Sequence, residues 1–215
     1  MHEEFKIAGL VSESIAAIFA TGYFYKYKST GLEPLLILLW YLFINELLCQ
    51  YLFGRTATGF LLYNLYDIIV TSTVLYLTYT QIRNLYRKKI ILAIIILIVL
   101  WFLSSTLYVN LFEEFSTYNF TIFTISVVIG LLIYFIDLLN SNELLKINRS
   151  LFLWIAMGFL IFFIAFPVIQ LARKFIGNEI EIQKKLNYVQ FSIHIISNLV
   201  IAFGFYYGNK IEMDK

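Results

Sequence analysis

The chain has 215 residues, of which 60% are hydrophobic, 19% aromatic and only 14% charged, and its mean hydropathy is +0.80. This composition excludes a soluble domain and predicts an integral membrane protein, with no segment left over for a soluble catalytic module. The formal net charge of +2 does not indicate nucleic-acid binding, because Lys and Arg of membrane proteins concentrate in cytoplasmic loops.

Seven apolar segments are long enough to cross a bilayer, and they predict one all-α domain over residues 1–215, a transmembrane helix bundle. The acidic start MHEEFK lacks the basic region of a secretory signal, so the first segment is expected to be a retained helix. The predicted spans, in chain order, are Lys6–Tyr25, Pro34–Phe53, Phe60–Ile82, Ile90–Val109, Tyr118–Leu139, Leu151–Leu171 and Asn187–Tyr207.

The third span, FLLYNLYDIIVTSTVLYLTYTQI, carries polar residues that an isolated helix in lipid would not tolerate. Asn64, Asp67 and Thr71 follow an i, i+3, i+7 spacing, which places them on one helical face. Ile69 and Tyr76 then lie on the opposite face. The polar face of this helix is therefore predicted to look toward other helices.

Later spans carry local signals of packing. The fourth span is almost entirely aliphatic and aromatic and is predicted to face lipid over much of its surface. Pro167 is expected to bend the last turns of the sixth span. Gly204 and Gly208 form a GxxxG pair that permits a close helix contact within or between chains. The segment Ala172–Leu186 is predicted to be either a solvated loop or a short amphipathic helix on the membrane surface.

The distribution of basic residues predicts the orientation. Of the 16 Lys and Arg residues, most fall in the first, third and fifth loops and in the C-terminal tail, and the strongest cluster is the loop Arg83–Lys89. Positive charge marks cytoplasmic loops, so the N-terminus is predicted outside and the C-terminus in the cytoplasm. The predicted location is the bacterial inner (cytoplasmic) membrane.

Four ionisable residues on different spans share one predicted depth. With about 1.5 Å of rise per residue, Glu13, Glu46, Asp67 and His194 each lie about 10 Å beneath the outer surface. Ionisable side chains inside a membrane face the bundle interior and are functional candidates by default. Polar companions accompany them on the same spans, and the candidate ligand-binding or ion-path residues are Glu13, Asn45, Glu46, Asn64, Asp67, His194 and Asn198.

Two explanations of this polar layer remain open. In the first, the residues form a hydrogen-bond network that only holds the helices together. In the second, they line a pocket open toward the outside that binds a cation, a proton or a small polar ligand. The first explanation is preferred by a narrow margin.

Enzymatic explanations fit the sequence poorly. A membrane zinc hydrolase needs several histidines, and here only His194 lies within a span. The last span has no lysine for a retinal, and no nucleophile motif surrounds Ser192 or Ser197. Cys49 has no partner cysteine and is expected to be a packing residue. No enzyme activity, cofactor or metal is predicted.

Four stretches resemble a group of small uncharacterised bacterial seven-helix membrane proteins, whose genes often accompany two-component signalling genes. The resemblance covers about the last two-thirds of the chain, and it departs in the third helix, where the group's pattern has a glutamate near Val70 and this chain carries Asp67. It implies a non-enzymatic sensor or accessory component of a signalling or response system. The matching stretches are Leu62–Tyr66, LLIYFIDLL at Leu131–Leu139, LFLWIAMGFLIFF at Leu151–Phe163 and HIISNLVIAFGFYYG at His194–Gly208.

An alternative function comes from protein class rather than from matching residues. Short multi-pass proteins without an enzyme site also serve as membrane effectors of antiviral, CRISPR-type systems. Such a protein would form a homo-oligomer and permeabilise or depolarise the membrane, with polar faces lining an ion path. The expected partners under the two functions are the lipid bilayer, further copies of the chain, and a cytoplasmic protein docking on the loop Arg83–Lys89.

Overall fold

The computed structural model describes residues 2–54, 56–140, 149–176 and 180–209, and throughout these residues the regular structure is helical. All seven long helices are long and apolar enough to span a membrane. Their bounds are α1 His2–Gly22, α2 Pro34–Leu48 with a π-helical extension Cys49–Phe53, α3 Ala57–Gln81, α4 Leu85–Ser105, α5 Thr117–Leu139, α6 Leu151–Ile176 and α7 Ile180–Tyr207.

Side-chain caps explain where three of these helices begin. Thr56 accepts the Gly59 N–H before α3, Asn84 accepts the N–H groups of Tyr86 and Arg87 before α4, and Ser116 accepts the Asn119 N–H before α5. Each cap satisfies a backbone donor that the first helical turn leaves without a partner.

Two predicted boundaries are wrong for physical reasons. The fourth span was placed at Ile90–Val109, but the Asn84 cap starts α4 at Leu85, so most of the predicted basic loop is the first turns of a helix. The segment Ala172–Leu186, predicted to be a solvated loop or a separate short amphipathic helix, is largely helical, but its described residues belong to two long helices: α6 continues through Pro167 to Ile176 and α7 begins at Ile180. Lys146 of the predicted fifth loop, with Arg55, Glu179 and the tail Lys215, lies outside the described residues.

Six helices form a ring around the bundle interior, and α4 lies outside it. Packing contacts run from α1 to α2, α3, α5, α6 and α7 in turn and return from α7 to α1. Among the described residues α4 packs mainly against α3 and α5, and 17% of its most apolar stretch is buried, against 33–39% in the other helices. This low burial is what we expect of a span predicted to face lipid over much of its surface.

Small residues bring α6 and α7 close together. A Cβ on Gly204 would lie 2.6 Å from Trp154 Cβ, and one on Gly208 would lie 2.8 Å from Leu151 Cα. Gly158 of α6 is equally close to Ile201 of α7. The GxxxG pair therefore makes its close contact within the chain, where any larger side chain would separate the helices.

Two charged residues hold together the C-terminal end of the bundle. This end is formed by the ends of α1, α3, α5 and α7 and the start of α4. Asp137 of α5 accepts the Arg83 N–H at 2.9 Å and forms a 2.8 Å ion pair with Arg87. The Asp137 Oδ1 that pairs with Arg87 also lies 3.4 Å from the Asn84 nitrogen. Lys26 donates to the carbonyls of Phe205, Tyr206 and Gly208 and so caps α7, and partial burial lowers the pKa of its amine.

Candidate functional site

A cavity of about 190 Å³ lies inside the helix ring. Every ring helix contributes to its wall, from Gly9 of α1 to His194 of α7, whereas α4 contributes nothing among the described residues. The wall includes Phe115, in the loop before α5, and Gln50, near the end of α2. The cavity therefore lies toward the N-terminal end of the bundle, formed by the start of α1, the α2–α3 turn, the α4–α5 loop and the start of α7. This is the end predicted to face outside.

The cavity wall combines polar groups with many aromatic rings. The polar side chains are Glu46, Gln50, Asp67, Thr71, Thr124, Gln190 and His194. The aromatic side chains are Tyr63, Tyr66, Phe115, Phe120, Phe123, Phe162, Phe163, Phe166 and Phe191. Three of the four ionisable residues predicted to share one depth thus meet at a single cavity.

The fourth, Glu13, pairs directly with His194. Its Oε1 lies 2.9 Å from His194 Nε2, and its side chain is almost completely buried. Asn198 donates to the His194 carbonyl at 3.1 Å and to Ser12 Oγ at 3.3 Å, which fixes α7 against α1. Glu13, His194 and Asn198 also line a smaller space of about 30 Å³. For these residues the helix-holding network describes the observed contacts.

Glu46 is held by a partner on its own helix. Gln50 Nε2 donates to Glu46 Oε1, and Gln50 lies in the π-helical turn that ends α2. That turn finishes at Gly54, whose φ of 50° suits glycine, and Gly59 is required nearby because a Cβ there would lie 2.2 Å from the Gly54 oxygen. Single π-helical turns occur frequently at functional sites, and this one places a polar side chain at the cavity.

Asp67 differs from the other acids because the described residues provide its carboxylate with no hydrogen bond. Its side chain is 8% exposed, its Oδ2 is fully buried without a partner, and it lines the cavity. Gln50 Oε1 and Thr124 Oγ1, both from cavity-lining residues, are also buried without partners. Buried polar atoms are nearly always hydrogen-bonded in proteins, so three unpartnered atoms around one cavity need an explanation.

Two predicted site residues lie outside the cavity wall. Asn64 binds the α4–α5 loop instead, because its Nδ2 donates to the Leu111 and Glu114 carbonyls and its Oδ1 accepts the Ser116 N–H. Asn45 is 2% exposed, but it does not line the cavity, and its Nδ2 has no partner within the described residues. The polar face of α3 is as predicted, with Asp67 and Thr71 buried and Ile69 exposed.

The sequence contained a signal for one residue that the prediction missed. Gln190 precedes His194 by four residues and therefore shares its helical face. In the structure Gln190 Oε1 accepts from Arg173 Nη2 at 2.5 Å, and the same guanidinium nitrogen binds Asn187 Oδ1 at 2.5 Å. The aromatic wall gave no such signal, because phenylalanine occurs on every side of these helices.

Across the described residues, no group of three or more His, Cys, Asp or Glu side chains is arranged to hold a metal ion. No Lys or Arg belongs to the described cavity wall either. No protein-family model matches the chain, and no curated protein or solved structure matches it.

Proposed function

We propose that this chain is a non-enzymatic sensor or accessory component of a bacterial signalling system, which binds a small ligand in the cavity of its helix ring. The observation that carries the proposal is Asp67, a buried carboxylate that lines the cavity and has no hydrogen-bond partner there. A carboxylate that only held helices together would make hydrogen bonds to another helix, as Asp137 does.

The position of the cavity favours ligand binding over a path between subunits. An oligomeric pore of the antiviral type would place polar groups on an outer face, where copies of the chain meet. Here Glu46, Asp67 and His194 all face the interior of one bundle. The resemblance to proteins encoded beside two-component signalling genes supports the same choice.

The proposal includes an orientation in the bacterial inner membrane, with the cavity end outside and the first turns of α4 in the cytoplasm. At this cytoplasmic end, Arg83 and Lys89 are exposed and offer a basic docking surface to a signalling protein.

Cysteine labelling in whole cells tests this orientation. Cys49 is buried and is first replaced by alanine, and single cysteines are then placed at Lys88 and Glu113. An impermeant thiol reagent is expected to label the Glu113→Cys protein and to leave the Lys88→Cys protein unlabelled. Labelling at Lys88 with protection at Glu113 would reverse the orientation.

Filling the cavity tests ligand binding. Thr124→Leu adds volume inside the cavity, whereas Thr121→Leu makes the same change at an exposed position of the same helix. The unfolding temperature of the purified protein is measured with panels of small amines, alcohols, sugars and carboxylic acids. At least one panel is expected to stabilise the unmodified protein and Thr121→Leu but not Thr124→Leu. Equal responses of all three proteins to every panel would contradict ligand binding at this cavity.

The same pair of variants separates signalling from membrane permeabilisation in the native bacterium. Thr124→Leu is expected to change the transcript profile as deletion of the gene does, while Thr121→Leu leaves it unchanged and membrane potential is normal throughout. Depolarisation by the overexpressed protein, with unchanged transcripts, would favour the antiviral effector function instead.

A further inference from the structure

We propose that the cavity selects a small organic cation, an amine or a quaternary ammonium compound, held between the Asp67 carboxylate and aromatic rings. This inference rests on the proposed ligand-binding function and adds the chemical class of the ligand.

Acidic side chains outnumber basic ones around the cavity. The pair of Glu13 and His194 has no net charge whichever of the two groups holds the proton. Glu46 and Asp67 are then left on a wall whose described residues include no Lys or Arg. The Arg173 guanidinium binds Asn187 and the cavity-lining Gln190, but Arg173 itself is not part of the wall. A cationic ligand would supply the counter-charge that favours the ionised form of these carboxyl groups, whereas an anionic ligand would find no Lys or Arg in the described wall.

The aromatic rings of the wall form a connected surface. Phe166 packs 5.1 Å from Phe120 and 5.1 Å from Phe162, measured between ring centroids. Phe162 in turn packs edge-to-face on the His194 ring at 5.7 Å. The faces of aromatic rings attract cations, and cages of such rings are a common way to recognise quaternary ammonium groups.

The size and lining of the cavity argue against an inorganic ion. An apolar cavity of about 150 Å³ accommodates benzene, so a cavity of about 190 Å³ accommodates a molecule slightly larger than that. Metal cations prefer several convergent oxygen ligands, and the described residues provide no group of three. A small organic cation fills the volume, contacts the rings and reaches the carboxylate at once.

The test compares choline with its uncharged isostere 3,3-dimethylbutan-1-ol, by calorimetric titration of the full chain purified in detergent. Choline is expected to bind the unmodified protein and Glu113→Gln equally, since Glu113 is an exposed acid that does not line the cavity. Asp67→Asn is expected to weaken choline binding by about tenfold or more, because the attraction between the carboxylate and the quaternary ammonium charge is lost. The alcohol is expected to bind at least about tenfold more weakly than choline.

A second variant keeps the test decisive if Asp67→Asn fails to fold. Phe162→Leu retains every carboxylate and removes one ring, so it should weaken choline binding about threefold and change alcohol binding less. Alcohol binding as tight as choline binding, lost only in Thr124→Leu, would overturn the cation inference and leave the ligand cavity intact. Failure of choline to bind the folded unmodified protein would also overturn it, and the panel experiment would then decide the proposed function separately.

Discussion

Asp137 and Asp67 are both buried aspartates, each 8% exposed, yet they differ in the hydrogen bonds that their carboxylates receive. Asp137 receives the Arg83 N–H and the Arg87 guanidinium, so its carboxylate is a structural connection between α5 and the start of α4. Asp67 faces a cavity and makes no hydrogen bond to the described residues. Burial of an acid therefore says little about its role, whereas the hydrogen bonds of its oxygens separate a structural acid from a binding candidate.

The largest expected effect is at Asp137. Asp137→Ala removes the carboxylate that pairs with Arg87 and accepts the backbone N–H of Arg83. The free energy of unfolding is expected to fall by about 2 kcal/mol. This is less than the about 3–5 kcal/mol of a fully buried pair, because Arg87 is 23% exposed. Chemical denaturation in detergent measures the loss, and Glu113→Ala is the control, with a change of less than about 0.5 kcal/mol. A loss at Asp137 no larger than the control's would show that the Asp137 carboxylate does not stabilise the bundle.

Two threonines allow the same comparison with neutral groups. Thr124 Oγ1 is buried without a partner at the cavity, whereas Thr78 Oγ1 donates to the Val74 carbonyl at 2.8 Å in a fully buried position. Thr124→Val should raise the free energy of unfolding by about 1 kcal/mol, and Thr78→Val should lower it by about 1 kcal/mol. Thermal unfolding of both variants measures the two shifts. Shifts of the same sign would mean that the cavity hydroxyl is satisfied in the protein.

The smallest expected effect is at Asp67. Asp67→Asn removes a charge and no hydrogen bond, so the free energy of unfolding should change by less than about 0.5 kcal/mol or increase slightly. Chemical denaturation beside Asp137→Ala measures the contrast between the two acids. A loss of stability at Asp67 equal to that at Asp137 would show that its carboxylate holds the bundle together.

The sequence predicted the helices and the buried face of α3 because both follow from local periodicity. The predicted starts of α4 and α7 were wrong. Both helices begin in charged stretches that the sequence indicated as loops, and α4 begins at the Asn84 cap. A shared depth correctly brought Glu46, Asp67 and His194 to one level. It could not show which side chains would pair, because depth along a helix does not determine rotation about its axis.

Asn64 illustrates the same limit. It shares a helical face with Asp67, and the sequence therefore predicted one role for both. In the structure Asn64 lies one turn nearer the start of α3. There its side chain hydrogen-bonds to backbone groups of the α4–α5 loop. A contact of this kind depends on where a loop folds back, which periodicity does not encode.

The contacts between α1 and α7 also constrain how the protein is made. Ser12 and Asn198, which hydrogen-bond beside the pair of Glu13 and His194, are separated by 186 residues in the chain. At translation rates of about 5–20 residues per second, α1 waits about ten to forty seconds in or beside the insertion machinery before α7 is synthesised. During that interval Glu13 must be shielded from lipid by other helices, by water or by an insertion factor. Nascent chains stalled before Ile180 should accordingly be degraded faster than the complete bundle, and Glu13→Gln should lengthen their lifetime.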